Sequence, residues 1–224
     1  MKLLAIETAT EACSAAVYVD GDIEQRFEVA PREHGRLILG MIDELMAEAQ
    51  LSVNNLDAVA FGRGPGSFIG VRIAAGVTQG IAFGGELPVV PVSTLATIAQ
   101  GAQHDHLLVA IDARMDEVYW GQYVRSSKTG IVEAAAPEIL LPPQRVDVAQ
   151  PGSAWVGVGT GWDSYRVALL QKLPFVKQID AAHLPMAKFT ALLAAKLYED
   201  GLIVDADAAI PVYLRDRVAE KPIK

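Results

Sequence analysis

Two carboxylates pose the first chemical question in this chain. Glu7 closes the apolar run Lys2 to Glu7, and Asp112 closes a similar run in the second half. Placed across a cleft, the pair could hold a magnesium ion, because hard cations take oxygen ligands. Thr8, Gly64 and Ser67 lie close enough in the predicted turns to join them, giving a candidate cleft of Glu7, Thr8, Gly64, Ser67 and Asp112. Other reactive side chains are weaker candidates. Cys13 falls in a predicted strand with no general base nearby, so it reads as a small hydrophobe. Ser67 follows Gly64-Pro65-Gly66 and opens a helix, so it reads as an N-cap and not as a nucleophile. The four histidines, His34, His104, His106 and His183, show no pair with metal-ligand spacing, and His104 and His106 read as a surface loop. No metal site is expected.

The elements that must position these groups follow from pattern. Strands are predicted at Lys2 to Glu7, Cys13 to Val19 and Ile23 to Val29, the last two joined by the hairpin signal Asp20-Gly21-Asp22. A helix from about His34 to Ala49, a strand from Leu56 to Phe61 and a long helix from Ser67 follow. A short strand at Pro88 to Val92 and a helix at Thr94 to Ala102 complete the first half. Leu3 to Val19 aligns without a gap on Leu108 to Val124, which sets Glu7 on Asp112 and Glu11 on Asp116. Two unrelated hairpins obeying the same rules would look alike, but a duplicated half is the more economical reading. Residues 126 to 152 read as strands joined by long loops. Ala154 to Val158 reads as a strand ending in Gly157, Gly159 and Gly161, helices are predicted at Ser164 to Lys172 and Met186 to Tyr198, and a charged tail closes the chain. Strands alternating with helices across short connections indicate an α/β fold. The expected division is a first lobe, 1–104, and a second lobe, 105–224, whose final segment packs back on the first.

Composition narrows the partners. The 224 residues are 51% hydrophobic and 21% charged, which describes a globular protein. With 27 Asp+Glu against 19 Lys+Arg, the net charge of -8 and the lack of a Lys/Arg cluster disfavour direct nucleic-acid binding. One cysteine fits a reducing compartment, Glu7 and Glu11 interrupt any signal-like apolar run, and no uninterrupted apolar stretch approaches the ~20 residues of a bilayer span. A cytoplasmic protein with no membrane association is expected. Trp120, Trp155 and Trp162 read as core.

Two hairpin-led α/β lobes around a cleft resemble the actin-like ATPase (ASKHA) architecture, each lobe a mixed sheet flanked by helices. Ala5-Ile6-Glu7-Thr8-Ala9, Gly64-Pro65-Gly66-Ser67-Phe68-Ile69-Gly70-Val71-Arg72, Pro91-Val92-Ser93-Thr94-Leu95 and Tyr213-Leu214-Arg215 resemble the TsaB (YeaZ) family, densely over the first hundred residues. That resemblance implies a role in threonylcarbamoyladenosine (t6A) modification of tRNA next to the anticodon. It also implies a non-catalytic paralogue of TsaD, whose paired histidines a helical turn apart correspond here to Thr94 and Ile98. Isoleucine cannot bind a metal. Actin-like ATPases bring phosphate close to two glycine-bearing turns. The turns here, Thr8 to Ala12 and Ala113 to Glu117, contain none, and Glu11 and Asp116 would repel phosphate. Gly157, Gly159 and Gly161 could face adenosine or simply end a strand.

The expected work of the chain is therefore binding. A helix apolar all round is buried all round, and a small domain offers the Ser67 helix only one core, so its second face calls for another layer or another molecule. On the His34–Ala49 wheel, apolar residues cover about half the circumference, wider than a surface helix needs. Leu37 and Met41 are expected at an outward flank beside the Ser67 helix, whose small residues allow close approach. The expected partner face is His34, Leu37, Ile38, Met41 and Leu45 with Gly70, Arg72, Ala74, Gly76, Val77 and Gly80. Arg72 is expected to pair with Glu7 or with a partner's carboxylate. The resemblance implies a heterodimer with TsaD through these helices and a homodimer when the chain is alone. It implies recruitment of the ATPase TsaE, which mainly binds the ATP, no cofactor of the chain's own, and contact with tRNA only through the complex. The alternatives are an actin-like ATPase or kinase using the cleft and, last, a peptidase.

Overall fold

The computed structural model describes residues 1–148 and 154–215. Two sheets lie back to back with two helices between them. The first sheet runs β3-β2-β1-β4-β5, from β1 (Lys2–Glu7), β2 (Ala12–Val19), β3 (Asp22–Val29), β4 (Ala58–Gly62) and β5 (Val89–Val92). The second runs β11-β10-β6-β7-β8, from β6 (His106–Asp112), β7 (Val118–Arg125), β8 (Val132–Ala134), β10 (Val156–Val158) and β11 (Gln178–Asp180), with β9 (Ile139–Leu141) also paired to β7. The orders correspond strand for strand, β1 to β6 and β4 to β10. Each sheet has an antiparallel hairpin followed by parallel strands. This is the actin-like fold.

The helices are α1 (His34–Glu48), α2 (Phe68–Gly85), α3 (Thr94–Gly101), α4 (Gly161–Ser164), α5 (Arg166–Lys172) and α6 (Ala187–Glu199). Helices α1 and α2 cover the outer face of the first sheet through Leu4, Ile6, Ile38, Leu45 and Ala74. Helices α4 and α5 cover the outer face of the second through Leu108, Ala110, Trp120 and Trp162. Helices α3 and α6 fill the space between the sheets, where Leu3, Ala5, Leu95 and Ala191 meet Leu107 and Val109. All three tryptophans are buried, as is Cys13.

Local departures from the pattern have local causes. Ser52 and Asn55 bond each other's backbone and side chain in a 3-10 turn, and this carries the chain past Leu56, so β4 starts at Ala58 and not at Leu56. The Asp20-Gly21 loop adopts positive φ at both residues, as a two-residue hairpin requires. The helix predicted from Ser164 begins instead at Arg166, because Tyr165 leaves helical geometry after the separate turn α4, and its hydroxyl donates to Asp112 Oδ1 at 3.2 Å. β11 is too short for its periodicity to be seen in sequence. The charged tail after Arg215, and residues 149–152 of the loop-rich stretch, lie outside the described residues.

Candidate functional site

The gapless alignment of the two hairpins breaks by one residue. Leu3 faces Tyr18 across the first hairpin, whereas Tyr123 faces Leu107, not Leu108, across the second. Side chains alternate faces along a strand, so a one-residue slip exchanges them. Glu7 therefore corresponds to Ile111, which packs in the core between the sheets. Asp112 lies on the opposite face of its sheet and meets Ser164 Oγ and Tyr165 Oη, both at 3.2 Å, and Arg114 at 3.0 Å. The expected carboxylate pair does not form.

Glu7 is fully buried. Its Oε1 accepts from the Ala9 amide at 2.8 Å and its Oε2 from Thr94 Oγ1 at 3.1 Å. Gly62 leaves the room this requires, since a Cβ there would stand 2.0 Å from Oε2. Burial pushes the Glu7 pKa up to about 7, with the bonds from Ala9, Thr94 and Thr8 opposing it. Of the two acids expected for Arg72, Glu7 is not its partner. Arg72 lies on the surface, its guanidinium 3.4 Å from the Phe68 ring centre and 4.9 Å from that of Tyr213, and it donates to the Phe68 carbonyl.

Between the two hairpin turns lies a cavity of about 1090 Å³. Ser67 and Asp112 line it, while Glu7, Thr8 and Gly64 do not. Glu11 lines it, but so do Arg32, Arg72, Arg114 and Arg215, so its wall carries more cations than the turn sequences suggest. The β6–β7 turn has an uncommon backbone. Arg114, Met115 and Asp116 stand in sequence at φ 60°, 58° and 57°, a left-handed conformation that costs a non-glycine residue about 1–2 kcal/mol. Arg215 clamps this turn. Its Nη2 donates to the Ala113 carbonyl at 3.0 Å, and its Nη1 pairs with Glu117 at 2.6 Å. Tyr213 meanwhile lies 6.3 Å from Phe68 on the first lobe, so the C-terminal segment bridges the lobes. The Tyr213-Leu214-Arg215 words were visible in sequence; their strap role was not. Gly159 also has an internal reason, since a Cβ there would stand 2.6 Å from the Ala110 carbonyl.

The long helix is not buried all round. Its inner face is Gly70, Val71, Ala74, Ala75, Thr78 and Ala82. Its outer face, read at helical spacing, is Ile69, Arg72, Gly76, Gly80 and Phe83. Ile69 is 68% exposed, Phe83 63% and the adjoining Phe68 57%. Several expected partner residues belong to the chain's own core instead. His34, Ile38, Leu45 and Ala74 are buried there, and a Cβ on Gly70 would stand 2.0 Å from the Thr8 carbonyl, so that glycine serves an internal contact. Gly76 and Gly80 have nothing within 4 Å of an added Cβ.

Leu37, Met41 and Val77 are half-buried. Met41 lies on the β3 side of α1, its Sδ 4.0 Å from Cys13 Sγ, where Arg26 of β3 pairs with Glu44 and Glu48. The α1 side toward α2 begins instead at Gly35, whose added Cβ would stand 3.9 Å from Ile73. Leu39, 54% exposed, lies on that side at helical spacing. Leu37 and Met41 thus flank the edge strand and do not adjoin the Ser67 helix as expected. Leu39 was missed because wheel counting gives the width of an apolar arc but not which neighbour each edge meets.

A family model described as TsaD, tRNA N6-adenosine threonylcarbamoyltransferase, matches residues 27–223. The tRNA threonylcarbamoyladenosine biosynthesis protein TsaB of Escherichia coli is 43% identical, covering 100% of this chain and 98% of the relative. The chain belongs to the TsaB family. The Haemophilus influenzae TsaB is 40% identical over 100% of this chain and 97% of its own. The structure of YeaZ from Pseudomonas aeruginosa superposes with a TM-score of 0.89 at 44% identity, covering 95% of this chain and 99% of that one. Thr94 and Ile98, the positions expected to stand in place of paired TsaD histidines, both lie on α3. Thr94 is buried and spends its hydroxyl on Glu7, and Ile98 is buried in the core between the sheets.

Proposed function

We propose that this chain takes part in threonylcarbamoyladenosine biosynthesis on tRNA as a non-catalytic scaffold. It binds and activates a TsaD-type transferase and helps to recruit a TsaE-type ATPase, which holds the ATP. Contact with tRNA comes through that assembly, and the chain alone pairs with itself by the same face. It works in the cytoplasm and needs no cofactor of its own. The observation that carries this reading is the outer stripe of α2: exposed Ile69 and Phe83 at its ends, and open glycines at Gly76 and Gly80 between them. Exposed apolar groups around bare backbone suit a helix packing closely across them. Burying Ile69 or Phe83 would each contribute about 1.5–3 kcal/mol before the costs of association. The rival cleft ATPase using Glu7 and Asp112 is disfavoured, because those two carboxylates lie on different faces and Glu7 is sealed.

Sedimentation velocity tests the reading, with the chain alone, with TsaD, and with TsaD, TsaE and ATP. A homodimer that yields to a heterodimer, and then to a larger ATP-dependent complex, is expected. A chain whose sedimentation ignores TsaD would reject the scaffold role.

A further inference from the structure

A second cavity, of about 670 Å³, opens away from the hairpin turns and shares no lining residue with the first. Both lobes build it. Arg63, just beyond β4, and Ser93, the N-cap of α3, come from the first. Tyr123 of β7 and Glu138 come from the second, while Leu193 and Leu197 of α6 supply apolar wall, with Leu202 and Ile203 partly exposed at the lip. The volume lies within the ~300–1,000 Å³ of small-molecule sites, and an apolar wall with a few convergent polar groups is their usual make-up.

The polar groups are specific. Ser93 Oγ and Tyr123 Oη both donate to Glu138 Oε1, so the carboxylate is held in place by both lobes. Burial and the neighbouring Glu138 raise the Tyr123 pKa well above the ordinary phenol value, which keeps that hydroxyl a donor. Arg63 is different. Among the described residues its side chain has no hydrogen-bond or ion-pair partner, and its Nε is shut off from solvent without an acceptor. A guanidinium is always charged and presents a planar fork suited to a carboxylate. Its Nε, buried without an acceptor, is costly to leave unpaired, and the half-buried guanidinium beside it faces a cavity where a ligand could supply the acceptor. Lys196 at the same cavity is already paired with Asp200.

We propose that this cavity binds a zwitterion of amino-acid chemistry with an apolar side chain. Its carboxylate pairs with Arg63, its ammonium with Glu138, and its side chain lies on Leu193 and Leu197. An anion without an ammonium would meet Glu138 unfavourably, and a cation without a carboxylate would meet Arg63 unfavourably. A molecule carrying both signs matches both. The site does not depend on the outer face of α2.

Ligand-observed saturation-transfer NMR and thermal shift on the full chain provide the test, with leucine, dileucine, leucinamide and N-acetylleucine as probes. Leucine or dileucine should bind, and the comparison of the two separates a free amino acid from a short peptide. Arg63→Gln and Glu138→Gln should each weaken binding at least about tenfold. Leucinamide and N-acetylleucine, each missing one charge, should bind correspondingly less well. Ile203→Lys at the exposed lip should also weaken binding with little risk to the fold, which covers the case in which an inner variant unfolds. Absence of binding by both zwitterions would overturn the proposal. So would unchanged affinity in folded variants, or preference for either singly charged probe.

Discussion

Replacing Gly76 and Gly80 together by glutamine should separate the stability of this chain from its capacity to associate. Neither position has an atom within 4 Å of an added Cβ, and both lie inside an 18-residue helix. Glycine in a helix interior is less favourable than an ordinary helix former by roughly 0.5–1 kcal/mol, so the double variant should gain about 1–2 kcal/mol in the free chain. For a domain of this size, that corresponds to a rise of about 2–8 °C in Tm. On the outer face the same side chains stand where a neighbouring helix would need bare backbone. Calorimetry of the chain held monomeric at low concentration should show the rise, and sedimentation velocity with TsaD should show the heterodimer weakened by at least about tenfold, or ~1.4 kcal/mol. Tight association of the stabilised variant would refute the reasoning, since close approach at those glycines would then not be part of the interface. A lowered Tm would refute the open-surface geometry itself.

Three further changes probe the interior and the cleft. Gly70→Ala should destabilise the chain by more than about 2 kcal/mol in urea unfolding, because its Cβ would collide with the Thr8 carbonyl, which a backbone cannot easily relieve. Glu7→Gln tests the buried carboxylate. A folded pKa near 7 against an unfolded value of 4.5 means the native state holds the proton more tightly, so the Glu7 contribution to stability is fully present below pH 4.5 and falls away as pH rises to about 7. The loss amounts to about 3 kcal/mol, and wild type minus variant, followed by urea unfolding from pH 4.5 to 8, should show that slope; a flat difference would mean Glu7 is not held as described. Arg215→Ala should speed amide hydrogen exchange across Ala113 to Glu117 while leaving the sheets protected, because the clamp on the left-handed turn is lost.

The sequence reading went furthest where one physical rule governs one element. Alternation and the Asp20-Gly21 turn located the first hairpin pair, and Ser67 caps α2 by accepting from the Gly70 amide as its type suggests. It was weaker where two elements must be related. The wheel of α1 gave the width of the apolar arc, but only the position of β3, with Arg26 reaching Glu44 and Glu48, shows that Met41 faces the edge strand. The small residues of α2 form one sequence class but play two roles. Gly70 makes room for the Thr8 carbonyl, and Gly76 and Gly80 face outward. The cavity with Arg63 and Glu138 was out of reach, because its lining comes from segments as far apart as the turn after β4, the loop before β9 and α6.

The duplicated hairpins show how little sequence is needed to dismantle a shared cleft. In the first lobe six residues separate the paired Glu7 and Ser14; in the second, seven separate the paired Ile111 and Tyr119. That one extra residue fits the second turn with its left-handed run from Arg114 to Asp116 and moves the acid ending the strand from one sheet face to the other. Glu7 then has the enclosed core as its surroundings, where burial and Gly62 favour a protonated, hydrogen-bonded carboxyl. Asp112 has the cleft, where Arg114, Ser164 and Tyr165 already occupy its oxygens. Moving Glu7 into the cleft would require reversing the pleat of β1, which would also carry Leu3 and Ala5 out of the core between the sheets. The separation of these carboxylates is therefore fixed by the main core of the molecule and not by loops that could readjust, so a ligand entering the cleft would meet Asp112 and the arginines but not Glu7.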